Sequence, residues 1–199
     1  MLATTAPLDE QVLVLPSRRA ITYFKSMLAE RIDRPVMLPR IITIDELARG
    51  ITDMMPLDAI STALELYDCY REIFQDAEPY ESFESWTGAI LRDFNTIDTY
   101  LIDAEKLYTD LRLIKDINDW SFELEEQSAD QEAYNLFWQR LGSLYTRFNE
   151  RLNAQGRSYA GAIAKAAASQ VGGCAYLKSY SHVVFAGFNA LSPAECALM

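Results

Sequence analysis

The stretch VLVLPSRRAITYFKSMLAE, Val12–Glu30, decides the fold class. Four apolar residues, Val12 to Leu15, run into Pro16, Ser17 and two arginines, after which Ile21, Phe24 and Leu28 fall at helical spacing. A short apolar run bounded by turn residues reads as a strand, and apolar residues three and four apart read as a helix. The pattern is strand, turn, helix, the opening of an α/β domain. In a nucleotide-binding domain the turn after such a strand is rich in glycine and carries a lysine for the phosphates. Here it reads Pro16-Ser17-Arg18-Arg19.

Three segments carry strand signals: 11–15 (QVLVL), 41–44 (IITI) and 182–186 (HVVFA). Each leads into a helical pattern, and long helical stretches separate the second from the third, so parallel strands with crossovers are expected. In 57–74 the apolar stripe is Leu57, Ile60, Leu64, Tyr67, Tyr70 and Phe74, with Pro56 at the first helical position. In 82–101 it is Phe83, Trp86, Ile90, Phe94, Ile97 and Leu101, with Ser82 as the candidate N-cap. In 131–153 it is Tyr134, Phe137, Leu141, Leu144, Phe148 and Leu152, with Gly156 as the stop. The alanine-rich stretch 158–169 is helical by propensity, and Gly172-Gly173 breaks it. Two acidic loops are expected, 76–81 and 116–130, the second packing down at Trp120 and Phe122. The expectation is a predominantly helical α/β protein. A partial parallel core from 11–50 plus 180–199 is interrupted by a helical insertion over 56–170.

The 199 residues are half hydrophobic and carry a net charge of −11. No apolar run approaches the ~18–20 residues of a membrane span. The start, MLATTAPLDEQ, lacks the basic and apolar regions of a signal peptide. Cys69, Cys174 and Cys196 are widely separated and His182 is the single histidine. That argues against a zinc site or a disulfide framework and suits a reducing cytoplasm. Residues 81–132 hold 14 Asp/Glu against 4 Lys/Arg, whereas residues 1–49 hold 6 against 7. Such a chain repels a polyanion overall, although a local basic turn can still make a few phosphate contacts.

A strand-to-helix turn presents free backbone N–H groups and the positive end of a helix dipole. Ser17, Arg18 and Arg19 are therefore the candidate contacts to a nucleic-acid phosphate, the alternative being a basic helix start paired with a carboxylate of the same chain. Thr43, with Glu46 three residues on, matches a capping box, with nucleic-acid contact as its other role. In HVVFAGFNALSPAE (182–195) a nucleotide hydrolase would end the strand in an acidic pair for Mg²⁺ and the attacking water. Ala186 and Gly187 stand there, and no GxxxxGK[ST] occurs, so ATP hydrolysis by these residues is not expected. Asp93, Asp98 and Asp103 are five apart, a spacing that does not gather them on one face and reads as a solvated edge. His182 reads as a core or edge histidine. The aromatics, 12% of the chain, read as core, with base stacking as the lesser alternative.

Taken together, VLVLPSRRAITYFKSMLAE, PRIITIDELARG, LELYDCYREI, ESFESWTGAILRDFNTIDTYLIDAEKLYTDL and NLFWQRLGSLYTRFNERLNAQGRSYAGAIAKAA resemble the N-terminal part of the AddB/RexB-like PD-(D/E)XK nuclease family proteins of Bacteroidetes. The most specific block comprises Trp86, Gly88, Leu91, Asp93, Phe94, Ile97, Asp98, Tyr100 and Leu101. The resemblance implies a partial RecA-like sheet of the UvrD type (1A-like) with an all-helical 1B-like insertion and a decayed ATPase. Its parent would be a helicase-nuclease acting on broken DNA ends in recombinational repair. On that reading Pro16–Arg19 and Ile42–Leu47 match DNA-contacting helicase motifs, and Ala186 and Gly187 occupy a degenerate Walker B position. No cofactor is implied for this chain, while the parent nuclease would use Mg²⁺ through residues far downstream. DNA ends or single-stranded DNA and an AddA/RecB-like helicase subunit would be the partners, with no membrane and a cytoplasmic location. About ten residues precede the first strand, too few for a Walker A unit, and the chain stops where a helix should begin. A fragment of a longer protein is expected. The competing reading is a stand-alone helical protein–protein interaction module acting through the acidic segment 116–132.

Overall fold

The computed structural model describes residues 7–118 and 129–199. It is mostly helical with a small parallel sheet, and the chain divides into two units: Met1–Met54 with Ile163–Met199, and Met55–Ala162.

The first unit is built on β1 (Gln11–Leu15), which lies between β2 (Arg40–Thr43) and β5 (His182–Phe185), both parallel to it. A central parallel strand is covered on both faces, so it reads as an unbroken apolar run rather than an alternation. Val12 and Val14 are fully buried accordingly. Helix α1 (Arg18–Ala29) links β1 to β2, and α2 (Ile44–Thr52) follows β2 without a break. The core is aliphatic: Val12, Val14, Ile42, Ile44, Leu47, Ala48 and Ile51, joined by Ile163, Ala167 and Leu198. Ile163 and Ala167 lie on α7 (Ala160–Gln170). The length 163–170, which the alanine-rich pattern alone grouped with the insertion, thus belongs to the sheet unit. A 3-10 turn at Val171–Gly173 ends α7, as the glycine pair foretold, and the short α8 (Ala175–Lys178) follows. The Tyr176 ring lies over Gly50, where an added Cβ would come within 2.5 Å of it.

The second unit contains the two-residue strands β3 (Met55–Pro56) and β4 (Arg157–Ser158), paired in parallel. Between them run α3 (Ala59–Ile73), α4 (Tyr80–Thr99), α5 (Ala104–Asn118) and α6 (Ala129–Ala154). Pro56 belongs to β3, and Asp58 caps α3 instead, accepting from Ser61 N–H at 2.9 Å. Helix α4 begins two residues ahead of Ser82, behind Pro79. The α4 and α6 stripes are largely the buried ones: Phe83, Ile90, Phe94 and Ile97, and Leu141, Leu144, Phe148 and Leu152. Phe137 is exposed. Gly156, at φ +65°, ends α6.

The stripe expected along α3 holds in part: Tyr70 is buried, and Leu57, Tyr67 and Phe74 pack against the core. Ile60 and Leu64 are 73% and 48% exposed, and the buried residues are Thr62, Leu66, Cys69 and Tyr70. Packing against both α4 and α6 draws Leu66 and Cys69 into the core beside Tyr70 and leaves Ile60 and Leu64 outside it. Sequence reading missed α5, although Asp103 announces it by accepting from Lys106 N–H at 3.1 Å. Residues 116–118 complete that helix, while Trp120 and Phe122 lie outside the described residues.

The acidic spacing on α4 needs a correction. Asp93 and Asp103 are exposed, but Asp98 is only 1% exposed, with the hydroxyls of Tyr145 and Tyr159 on its two carboxyl oxygens. Residue 98 falls one position after Ile97 on the buried side of the helix, so the interior takes it and supplies the polar partners a buried carboxyl requires.

Candidate nucleic-acid interface

Parallel pairing places the carboxyl ends of three strands together. Leu15 is opposite Thr43, and Val14 is opposite Phe185, so the turns Pro16–Arg19, Thr43–Glu46 and Ala186–Gly187 leave the same end of the sheet. In open α/β sheets ligands bind outside the carboxyl ends of the strands, where neighbouring connections run in opposite directions. Here β1 connects towards β2 on one side and has β5 on the other.

Ser17 is the N-cap of α1: its backbone is extended, and its Oγ accepts from Ala20 N–H at 3.2 Å. Arg18 and Arg19 are the first two helical residues and are exposed, at the end where the helix dipole favours an anion. Arg18 is 82% exposed along its side chain, with Nη2 3.5 Å from Glu46 Oε1. Arg49 Nη2 approaches the same oxygen at 3.9 Å. An ion pair so open to water contributes less than about 1 kcal/mol, so a competing anion displaces it readily. Arg19 makes no ion pair among the described residues.

Thr43 is placed differently from Ser17. It is 5% exposed, and its Oγ1 accepts from Glu46 N–H at 3.2 Å while Glu46 Oε2 accepts from Thr43 N–H at 3.0 Å. This is the reciprocal capping box anticipated from the spacing; such a cap contributes about 1 kcal/mol. Burial turns Thr43 from a solvent-facing contact into the brace of the turn. Glu46 was the residue overlooked as part of the site. Its signal was available: a carboxylate in the first turn after a strand parallel to β1 must lie near the turn that follows β1.

Gly187 has φ +77°, the left-handed region that an L side chain enters only under strain, and Ala186 N–H donates to Val14 O at 3.1 Å. These residues continue the β1–β5 ladder and then turn it, and they offer no side-chain ligand. The next carboxylate, Glu195, is engaged in a second capping box at the start of α9 (Pro193–Cys196), where Oε2 accepts from Ser192 N–H at 2.8 Å. The residues at this sheet end therefore do not fit a Mg²⁺–nucleotide: no carboxylate ends β5, and the turn Pro16–Arg19 after β1 carries no lysine. Among the described residues no group of three or more His, Cys, Asp or Glu is arranged to hold a metal ion.

The electrostatics are balanced. Arg18, Arg19 and Arg49 share this region with Asp45, Glu46 and Glu195. Burial, and then the Glu195 charge, raise the Asp45 carboxyl above its ordinary range. Chemically the end of the sheet can present two arginines and helix-start N–H groups to one or two phosphates, and it holds no nucleophile–base pair. His182 is exposed on the edge strand, with Nδ1 3.2 Å from Ser181 Oγ. No helix among the described residues is long and apolar enough to cross a membrane. No family model matches the chain, and no curated protein matches it.

Proposed function

We propose that this chain is the non-catalytic, helicase-like scaffold portion of a helicase-nuclease that processes DNA ends, working in the cytoplasm beside an AddA/RecB-like helicase subunit. On this reading the parallel sheet is a partial RecA-like core, and the helical unit is its 1B-like insertion. Ser17, Arg18 and Arg19 contact the backbone of single-stranded DNA, while Mg²⁺-dependent cleavage belongs to downstream parts of the parent. One observation carries the reading. The exposed Arg18–Arg19 helix start lies at the carboxyl end of the parallel strands, where open α/β sheets in general bind ligands, and β5 runs into Ala186-Gly187 rather than an acidic pair. An end that presents two arginines and helix-start N–H groups without the residues of hydrolysis suits guiding a strand.

The balanced charge of the site makes binding weak and salt-dependent. For single strands each phosphate contact contributes about −0.7 to the slope of log K against log salt. Fluorescence anisotropy of a labelled oligonucleotide should show binding by the full chain at low salt. The double variant Arg18→Ala/Arg19→Ala should flatten the slope by roughly 1.4, two contacts at that value. An unchanged slope, or no binding at low salt, removes the interface. The protein–protein interaction module then takes its place, favoured by the 21 Asp/Glu against 9 Lys/Arg of the helical unit.

A further inference from the structure

Two arginines from different turns converge on one carboxylate oxygen. Arg18 opens α1 after β1, and Arg49 lies in the last turn of α2 after β2, the strand paired with β1. The Nη2 atoms of Arg18 and Arg49 stand 3.5 and 3.9 Å from Oε1 of Glu46. Arg49 is itself steadied: its Nε donates to the Asp45 carbonyl at 3.3 Å, which lays the side chain back along α2 and leaves Nη2 for the oxygen. Glu46 is held from the other side, since Oε2 accepts from Thr43 N–H at 3.0 Å. The capping box thus fixes the carboxylate, and its second oxygen sets a negative charge between two guanidinium groups.

On the reading of this sheet end as a nucleic-acid interface, on which this step rests, we propose that Arg49 is a further phosphate-binding residue. Glu46 Oε1 stands where a phosphate oxygen binds, as a built-in competitor for it. Guanidinium groups take carboxylate and phosphate oxygens in the same planar geometry, so an oxygen held by two of them marks the place of the other anion. A backbone phosphate carries the same single charge as Glu46, so exchanging one for the other gains little by itself. A strand that also brings a neighbouring phosphate to Arg19 and the α1 start gains from both contacts at once. Glu46 in this way favours a run of phosphates over an isolated anion.

Glu46→Gln in the full chain tests this, because glutamine keeps the acceptor for Thr43 N–H and removes the charge. By fluorescence anisotropy at low salt the variant should bind a labelled single-stranded oligonucleotide roughly fivefold tighter than the unaltered chain, the scale of an exposed ion pair removed. Glu30→Gln makes the same change of net charge at the far end of α1 and should leave binding unaltered. Adding Arg49→Ala to Glu46→Gln should weaken binding as much as adding Arg18→Ala does. A Glu46→Gln affinity no higher than that of Glu30→Gln overturns the competitor. An Arg49→Ala change that is harmless in the Glu46→Gln chain overturns the phosphate contact, since Arg49 would then only neutralise Glu46. Either result with oligonucleotide still bound leaves the nucleic-acid interface standing. Without oligonucleotide binding, inorganic phosphate decides through the NMR signal of Arg49 Nε–H in Glu46→Gln. A signal that phosphate moves keeps the anion site and removes the DNA reading, and an unmoved signal removes both. If Glu46→Gln does not fold, Arg49→Ala in the otherwise unaltered chain is compared with Arg31→Ala, the same change of charge beyond the end of α1. A larger loss of oligonucleotide binding is expected for Arg49→Ala, and an equal loss overturns the assignment.

Discussion

The sheet unit and the helical unit solve the same burial problem with different side chains. The first fills its interior with Val12, Val14, Ile42, Ile44 and Leu47. The second uses Phe83, Phe94, Phe148, Tyr145 and Tyr159 among its buried residues. Neighbouring strands lie about 4.8 Å apart, a spacing that branched aliphatics fill on both faces of a parallel sheet. Helix axes lie roughly 8–10 Å apart, and the wider gap takes rings, which then order one another. Phe148 stacks on Tyr159 with centroids 5.8 Å apart and planes within 7°, and Phe94 meets Tyr145 edge-on at 5.1 Å. The surfaces differ as well. The sheet unit carries 9 Lys/Arg against 8 Asp/Glu, the helical unit 9 against 21. A near-neutral unit can meet phosphate at a local basic turn, whereas the acidic unit repels it.

Tryptophan fluorescence separates the two, since Trp86, Trp120 and Trp138 all fall in the helical unit. Phe148→Ala should have the largest effect, about 3–5 kcal/mol lost from the tryptophan-reported transition in urea. A loss under about 1 kcal/mol would mean that the ring stack is not what holds the helical unit together.

Leu101 offers a smaller change of opposite sign. It sits at φ 53° where α4 ends, with Ile102 N–H donating to Ile97 O at 2.8 Å and Leu101 N–H to Asp98 O at 3.1 Å. That is a Schellman ending with leucine in the position glycine favours. Leu101→Gly should stabilise the helical unit by about 1 kcal/mol, the cost of holding an L side chain in the left-handed region. A destabilisation in the same urea experiment would show that packing by the leucine outweighs the strain.

The pH response should be smallest and should differ in sign between the units. In the helical unit the Gln155 amide and then Arg151 hold Glu65 below the ordinary carboxylate range, and Arg147 does the same for Glu72. Their contribution is present above the unfolded value, about 4.3, and is lost as the pH falls through the lowered folded values. Asp45 in the sheet unit is raised, so its contribution is full below about 3.9, the unfolded value, and declines as the pH rises through the folded one. Amide exchange measured on the two units between pH 3 and 6 checks this. Parallel trends in both units would contradict it.

Local signals carried far where local physics decides. The three strands, their leads into helices, the Thr43–Glu46 and Ser192–Glu195 boxes and the Gly156 stop all rest on interactions within four or five residues, and each is readable in sequence. The start of α3 was misread because Pro56 suits a first helical turn as well as an edge strand, and only the pairing of β3 with β4 distinguishes them. At the interface the Arg18–Arg19 turn was legible. Its engagement by Glu46 was not, because the two lie 28 residues apart in the chain and meet only through the β1–β2 register.

The sequence by itself determined an α/β protein with a parallel strand-turn-helix opening, a long helical middle and no residues for nucleotide hydrolysis at the strand ends, since these follow from periodicity, caps and residue identity. Tertiary structure alone decided that Leu66 and Cys69, rather than Ile60 and Leu64, join Tyr70 in the core, that Asp98 lies inside among tyrosines, and that Arg18 meets Glu46. A helix presents every side chain somewhere, and a neighbour must exist before any one of them is an interior.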